Sequence, residues 1–246
     1  MLEDKLGIVQ NFILTDDLKL KHLNSDLGLK STAKILGDCN WQVNYKTDLY
    51  LDEIHTLYNK HLSNCTIYNN VQDDDFRWAE TTLALVLELE TPYVFYLTED
   101  RMFHRTNKEE FSEIIDDMME SNISWMSISK MWKYGASIHP PISKQQDLPP
   151  YMDNHKHFYT YLSKNSPYYV LSVDSIWEKS LLIDSLGRLC GKKHPQFQKP
   201  HMMEHYTNNW LPRIWPNLLC AVPKKQIIVS DDDPQMEKIG ESGQFK

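Results

Sequence analysis

A short apolar run that ends on two carboxylates constrains the fold of this chain more than any other feature. The run extends from Tyr93 to Leu97 in the stretch TPYVFYLTEDRMFH, and it is continuous rather than alternating. Continuous apolar runs are typical of strands covered on both faces, as in the middle of a parallel sheet. Thr98, Glu99 and Asp100 follow the run. Since open α/β sheets bind ligands at the carboxyl ends of their strands, we expect the two acids at a ligand-binding edge.

Predicted strands and helices alternate through the first half of the chain. Apolar residues at spacings of three and four predict the helices, including a well-buried one just before the run described above. Alternation of this kind predicts an α/β fold with a mostly parallel central sheet and helices on both sides. The predicted strands cover residues 7–15, 41–46 and 65–70, and the predicted helices include residues 54–62 and 76–90.

The pattern changes after the next helix, which a capping box at Thr106 and Glu109 is predicted to start. Further along, the sequence predicts a strand within 124–132, a long polar and proline-rich loop over 139–157, a strand over 166–173 and a helix over 174–187. The acidic segment after Ser230 is predicted to be a flexible tail.

Composition limits the classes of partner. With 246 residues the chain fits one large α/β domain. Its formal charge of -8 and its pI near 5.7 argue against a general nucleic-acid binder, which would have a basic surface. No apolar stretch is long enough to span a bilayer, and the acidic N-terminus does not resemble a secretory signal. Four widely spaced cysteines favour a reduced, cytoplasmic protein: Cys39, Cys65, Cys190 and Cys220.

A carboxylate pair at the end of a strand can hold a hard divalent cation. Mg²⁺ and Mn²⁺ keep several waters and take their remaining ligands from substrate phosphates. Such a cation would neutralise a diphosphate leaving group as negative charge develops on it. Adjacent acids are also common where a loop begins, so the residues by themselves leave open an ordinary loop carboxylate at Glu99 and Asp100.

The order of these elements resembles the nucleotide-sugar glycosyltransferases of the GT-A fold, particularly the large family-2-like group. TPYVFYLTED resembles the segment in which a strand ends in that group's Asp-x-Asp-type motif. Later, SVDSIWEKSLLIDSL resembles the segment after the acceptor-side strand, and HMMEHYTNNW resembles a late acidic element that often supplies a catalytic base. The resemblance implies one catalytic domain over 1–230, with a nucleotide-binding half at 1–105 and an acceptor-side half at 106–230, followed by the tail at 231–246.

The resemblance also implies roles for residues of the donor site. Asp100 matches the metal ligand of the Asp-x-Asp motif, and Thr98 stands where many members carry the first acid. Glu99 is then a water-mediated ligand or a direct contact of the nucleotide sugar. Arg77 falls near a basic residue that faces the diphosphate, and Thr15 falls where members of the group contact the nucleotide base.

On the acceptor side, the resemblance implies that Glu204 is a general base that removes a proton from an acceptor hydroxyl. His205 or His201 would complete the metal shell or bind the phosphates. The implied function is transfer of a sugar from a nucleoside-diphosphate sugar to a glycan, a lipid-linked or another hydroxyl acceptor, assisted by Mn²⁺ or Mg²⁺ and inverting at the anomeric carbon.

Two alternatives stay open. The first is a glycosyltransferase-like module without catalytic activity, because Thr98 departs from the motif. The second is a nucleotidyltransferase on a related scaffold. LTDDLKLKH follows the first predicted strand where such an enzyme would carry a glycine-rich phosphate loop, and this makes the second alternative weaker.

Overall fold

The structure is a computed structural model, and it describes most of the chain. The described residues are 1–14, 17–24, 28–70, 77–99, 101–103, 106–128, 132–133, 136–137, 152–165, 175–191, 202–203, 211–225 and 227–230.

Strands and helices alternate in the described part of the first half, as the sequence predicts. The strands are β1 Leu6–Phe12, β2 Asn40–Tyr45, β3 Cys65–Asn69, β4 Tyr93–Tyr96, β5 Arg101–Phe103, β6 Trp125–Ser127, β7 Trp132–Lys133, β8 Ala136–Ser137, β9 Asp153–Asn154, β10 Phe158–Leu162, β11 Ser175–Glu178, β12 Leu219–Pro223 and β13 Ile228–Ser230. The helices are α1 Asp17–Leu23, α2 Leu29–Leu36, α3 Leu51–His61, α4 Trp78–Leu87, α5 Lys108–Glu120, α6 Lys179–Cys190 and α7 Leu211–Ile214.

One mixed sheet forms the centre of the described structure. Its strand order is β3-β2-β1-β4-β11-β6-β12-β10-β9. Strands β3, β2, β1 and β4 are mutually parallel, and β11 runs antiparallel between β4 and β6. Among the described strands of this sheet, only β10 and β11 run against the common direction. The predicted fold class, α/β with a mostly parallel sheet, is confirmed.

Strand β4 is covered on both faces, which explains its continuous apolar run. Phe95 lies in the core on one face of the sheet and Val94 in the core on the other, and neither is exposed. The ring of Phe95 lies 6.3 Å from that of Phe111 in α5. On the opposite face, the indole N–H of Trp78 in α4 donates a hydrogen bond to the hydroxyl of Tyr96 at 3.1 Å. The prediction of a doubly covered strand is confirmed.

The predicted capping box of α5 is wrong by one residue. Asn107, not Thr106, caps the helix, and its side chain accepts a hydrogen bond from the backbone N–H of Glu110 at 2.8 Å. The backbone of Asn107 is extended, as an N-cap requires, and asparagine ranks at least as high as threonine at this position. The helix therefore begins at Lys108.

The helix predicted over 174–187 is also wrong in its first part. Residues 175–178 form β11, and α6 begins only at Lys179. Ile176 and Trp177 are fully buried, one in each core, so this segment is stabilised by burial on both faces of the sheet. Tertiary packing of this kind outweighs the local helical spacing of the apolar residues.

Several predicted regions of the second half lie outside the described residues. These are residues 139–151 of the long loop, the strand predicted over 166–173 and the tail at 231–246. Within the ranges given above, no helix is both long enough and apolar enough to cross a bilayer. All four cysteines lie inside the described ranges and are free thiols.

Replacement by alanine should have opposite effects at two glycines, because Gly7 in β1 is closely packed and Gly187 in α6 is not. A Cβ at Gly7 would lie 2.6 Å from Leu89 Cδ2 and 2.8 Å from Thr91 Oγ1, which is held because it donates to the Tyr93 carbonyl. Gly7→Ala should therefore lower the free energy of unfolding by about 1–3 kcal/mol. At Gly187, inside α6, a Cβ meets nothing within 4 Å, so Gly187→Ala should raise it by roughly 0.5–1 kcal/mol.

Urea unfolding monitored by circular dichroism measures both values. Equal effects of the two substitutions would contradict the close contact at Gly7.

Candidate functional site

The described residues that directly follow β4, Leu97, Thr98 and Glu99, are called the carboxylate loop here. The backbone N–H of Leu97 donates to a carbonyl of β1 at 3.1 Å, and Gln10 Nε2 donates to the Thr98 carbonyl at 3.3 Å. Thr98 and Glu99 are both half-buried. Glu99 thus lies just past the carboxyl end of β4, and its role in binding stays a prediction.

Gln10 connects the carboxylate loop to helix α3. The Tyr58 hydroxyl donates to Gln10 Oε1 at 2.6 Å, while Gln10 Nε2 faces Thr98. Tyr58 is fully buried, and burial raises the pKa of its hydroxyl well above 10.0. The hydroxyl therefore keeps its proton at neutral pH, and that proton fixes which way the Gln10 amide points.

A second set of hydrogen bonds lies between the sheet and α4. Asn44 Nδ2 donates to Asn11 Oδ1 at 2.9 Å, and Asn11 Nδ2 donates to Thr82 Oγ1 at 2.9 Å and to the Trp78 carbonyl at 3.4 Å. Asn44 is completely buried, yet its Oδ1 has no hydrogen-bond partner among the described residues. Leaving such an acceptor unsatisfied costs about 1–3 kcal/mol, so Asn44 Oδ1 is a candidate acceptor for a water or for a bound molecule.

Helix α4 begins at this same edge of the sheet. It follows β3 and runs back along the sheet, and its first residue, Trp78, contacts Asn11 near the carboxyl end of β1. Arg77 is the N-cap residue, is exposed and makes no side-chain capping bond. The N-terminus of a helix favours negative charge because its first N–H groups have no partner inside the helix. The structure thus brings Arg77 to the edge where Glu99 lies.

The sequence analysis missed the buried polar residues of β1 and β2. The motifs VQNF and QVNY each place amide side chains in an otherwise apolar strand, where asparagine is disfavoured. This was a readable signal, because buried amides persist only with hydrogen-bond partners. Lys46, the residue after β2, is buried as well, which is rare for lysine. The buried polar side chains of this region are Gln10, Gln42, Asn44 and Lys46.

Most residues that the resemblance singles out lie outside the described residues. Of the predicted donor-site residues, the structure describes Arg77 and Glu99 but not Thr15 or Asp100. On the acceptor side, the predicted base and both candidate histidines are outside as well: Glu204, His201 and His205. Their roles stay predictions.

The part of the chain that the structure describes contains no group of three or more His, Cys, Asp or Glu side chains that could hold a metal ion. The oxygen donors at the end of β4 nevertheless suit a hard cation, since Mg²⁺ and Mn²⁺ need only one or two protein carboxylates when phosphates complete the shell. Glu99 is the carboxylate of the predicted set that the structure places at this edge.

Comparison with solved structures identifies the class of fold. No protein-family model and no curated protein matches the chain in sequence. Glycosyltransferases of the GT-A type do match it in structure, with a mostly parallel α/β sheet flanked by helices. The GT-A-type fold implied by the resemblance is therefore confirmed.

One of the matching glycosyltransferases is TarS from S. aureus. The crystal structure of TarS 1-349 has a TM-score of 0.57 at 16% identity, over 92% of this chain and 60% of that chain. Its complex with UDP-GlcNAc has a TM-score of 0.55 at 15% identity, over 91% of this chain and 57% of that one. HddC from Yersinia pseudotuberculosis matches with a TM-score of 0.52 at 11% identity, over 98% of this chain and 99% of the HddC chain. This chain spans about three fifths of the TarS fragment, and the likeness shows the fold alone.

The buried Tyr58 hydroxyl predicts a pH-dependent difference between the wild type and Tyr58→Phe. Below the ordinary pKa of 10.0 the hydroxyl is protonated in both folded and unfolded chains. Above it, the unfolded chain releases the proton and the folded chain retains it, so the contribution of Tyr58 to stability falls as pH rises. We expect Tyr58→Phe to be about 1–2 kcal/mol less stable at pH 8, since Gln10 Oε1 loses its donor.

The difference in free energy of unfolding between the wild type and Tyr58→Phe should become smaller between pH 10 and pH 11, as Tyr58 of the unfolded chain ionises. Urea unfolding across this range measures it. A gap that stays constant from pH 8 to pH 11 would contradict the raised pKa.

Proposed function

We propose that this protein is a glycosyltransferase that moves a sugar from a nucleoside-diphosphate sugar to a hydroxyl acceptor. One catalytic domain, residues 1–230, carries the activity in this proposal. The donor binds to the half at 1–105 and the acceptor to the half at 106–230. Free thiols at all four cysteines accord with the cytoplasmic location that we propose.

The convergence of polar groups at one edge of the sheet carries this proposal. Parallel strands β3, β2, β1 and β4 all end at this edge, where ligands of open α/β sheets bind. The exposed Arg77 at the start of α4, the half-buried Glu99 and the unsatisfied Asn44 Oδ1 offer a cation, an anion and a hydrogen-bond acceptor there. TarS, whose fold is similar, has been crystallised with UDP and with UDP-GlcNAc, and this supports a nucleotide-sugar donor.

The proposed reaction is a single displacement at the anomeric carbon. Glu204 accepts the proton of the acceptor hydroxyl while the hydroxyl oxygen forms a bond to that carbon. The bond from the carbon to the diphosphate oxygen breaks, and its electron pair leaves with the nucleoside diphosphate. Attack opposite to the leaving group inverts the configuration. Arg77 stabilises the departing diphosphate by its positive charge.

A divalent cation, Mn²⁺ or Mg²⁺, would supply charge neutralisation at the diphosphate when bound. Asp100 is its proposed ligand, with His205 completing the shell and Glu99 contacting it through water. Thr15 is proposed to contact the nucleotide base. Thr98, in place of an acid, leaves fewer carboxylates for the cation than the motif usually provides.

Nucleotide binding should appear as thermal stabilisation. A nucleoside diphosphate at a hundredfold its Kd adds about 2.7 kcal/mol to the free energy of unfolding. For a domain of this size, that raises the Tm by roughly 5–10 °C. The measurement is a panel of UDP, GDP, CDP and dTDP, each with MnCl₂ and with EDTA. The absence of a shift with every member would count against the proposed function.

Asp100→Asn separates the enzyme from the two alternatives. We expect this variant to keep its fold, to lose sugar transfer and to lose the Mn²⁺-dependent part of the nucleotide shift. Asp52→Asn, an exposed first-turn residue of α3, is the matched control and should behave as the wild type. If Asp100→Asn has the same function and the same nucleotide-induced Tm shift as the wild type, the result would favour a non-catalytic module. Pyrophosphate release from a nucleoside triphosphate would favour a nucleotidyltransferase.

Glu204→Gln tests the proposed base. Because the amide cannot accept the proton of the acceptor hydroxyl, kcat should fall by about 100-fold or more, while the nucleotide-induced Tm shift stays as in the wild type. The measurement is product formation from the donor sugar with the acceptor in excess. A variant with normal kcat would exclude Glu204 as the base.

A further inference from the structure

We propose that two strand residues, Asn11 of β1 and Tyr96 of β4, position Arg77 for contact with the diphosphate of the donor. This inference rests on the proposed function, in which Arg77 stabilises the departing diphosphate, and it goes beyond it. Neither strand residue has to touch the donor, because both act through Trp78, the residue that follows Arg77 in the chain. Asn11 and Tyr96 are thus positioning residues of the proposed donor site.

The side chain of Arg77 is accessible to a ligand. Arg77 is exposed, and among the described residues it has no carboxylate partner. By contrast, Arg188 on the outside of α6 forms an ion pair with Asp184 at 3.1 Å. A guanidinium that is always charged and carries several donors is suited to a phosphate group. What remains to be fixed is the place of Arg77 relative to the sheet, and Trp78 determines it.

Asn11 holds the backbone of Trp78. The amide nitrogen of Asn11 donates to the Trp78 carbonyl at 3.4 Å and to Thr82 Oγ1 at 2.9 Å. Since a carbonyl can only accept, Asn11 must turn its nitrogen toward α4 and its oxygen toward β2. There the oxygen accepts a hydrogen bond at 2.9 Å from Asn44, which is completely buried. The first turn of α4 is therefore attached to β1 in one orientation.

Tyr96 holds the side chain of Trp78. The indole N–H donates to the Tyr96 hydroxyl at 3.1 Å, and the two rings lie edge to face with their centroids 5.7 Å apart. Both side chains are 3% exposed. A buried N–H group that loses its acceptor is unfavourable, so without the hydroxyl we expect the indole to move toward another acceptor or toward water.

The two attachments come from neighbouring parallel strands and act on different parts of Trp78. Tyr96 pairs with Val9, two residues before Asn11, so both attachments lie on the face of the sheet that α4 covers. Arg77 is bonded to Trp78, and its carbonyl accepts a hydrogen bond from Thr81 Oγ1 of the same helical turn at 2.9 Å. Arg77 must therefore follow any displacement of Trp78. A displacement of about 1 Å can weaken the function of a site up to roughly 100-fold.

The experiment is a double-mutant cycle of Tyr96→Phe and Arg77→Gln, measured by isothermal titration calorimetry. The probe is UDP, or whichever diphosphate of the panel binds the wild type, in one buffer with MnCl₂ for every protein. We expect Tyr96→Phe to raise the Kd by about five- to tenfold, because Trp78 loses its acceptor. In the Arg77→Gln background the same substitution should leave the Kd unchanged, since no guanidinium remains to be placed. A loss of stability alone would not produce this coupling.

Tyr93→Phe is the matched control. Tyr93 stands at the opposite end of β4, is also buried, and donates to the Ile123 carbonyl at 2.7 Å. Like Tyr96→Phe, this variant loses the hydroxyl of a buried tyrosine in β4. Its Kd should match that of the wild type.

Three results would overturn the inference: an unchanged Kd for Tyr96→Phe or for Arg77→Gln, an equal rise from Tyr96→Phe in both backgrounds, or an equal rise for Tyr93→Phe. If Tyr96→Phe does not fold, Asn11→Leu takes its place in the cycle, because leucine cannot donate to the Trp78 carbonyl, and the same results would overturn it. A wild type that binds no diphosphate contradicts the proposed function itself. Diphosphate binding that is not coupled to Arg77 contradicts only the positioning role.

Discussion

Burial of β4 on both of its faces is the constraint on which the rest of the structure depends. Phe95 and Val94 point into two separate cores, so a helix must cover each face and a strand must pair along each edge. Parallel β1 pairs along one edge and antiparallel β11 along the other. The strand can meet water only where it ends, and Thr98 and Glu99 stand at that point. Because every other side of β4 is covered, polar side chains can reach water only at its end.

Polar residues also lie inside the sheet, next to that edge. Gln10, Asn11 and Asn44 replace apolar side chains in interior strands, and each forms at least one hydrogen bond that fixes its orientation. An apolar core of the same shape would avoid the cost of desolvating these amides. Retaining them is consistent with a sheet edge built for a polar ligand. Gln10 also shows how such residues work, since it joins α3 to the carboxylate loop.

Much of the fold of the first half of the chain could be predicted because its signals are local. Helices α3 and α4 and strands β2 and β3 lie within three residues of their predicted bounds, since each has its own apolar spacing and flanking polar residues. Strand β11 was not predictable in this way. Ile176 and Trp177 belong to a segment whose apolar spacing predicts a helix. They form a strand because they pair with β4 on one side and with β6 on the other. The same limit applies to β13, whose partner β5 is more than a hundred residues away. At the candidate site, the acids after β4 are visible in the sequence. The hydrogen bond from Asn44 to Asn11 depends instead on the register of β2 against β1, and that from Asn11 to Thr82 on the packing of α4 against the sheet.

The pairing of β5 with β13 has a consequence for the order of folding. On a ribosome, β4 and β5 emerge many seconds before β13, because synthesis adds about 5–20 residues per second. Until then β5 lacks the partner strand that it has in the structure, and Phe103 lacks its apolar neighbour Ile228. Closing so long a loop is slow relative to forming local helices. Strand β5, which lies close to Glu99, would thus be among the last of the described elements to reach its final geometry.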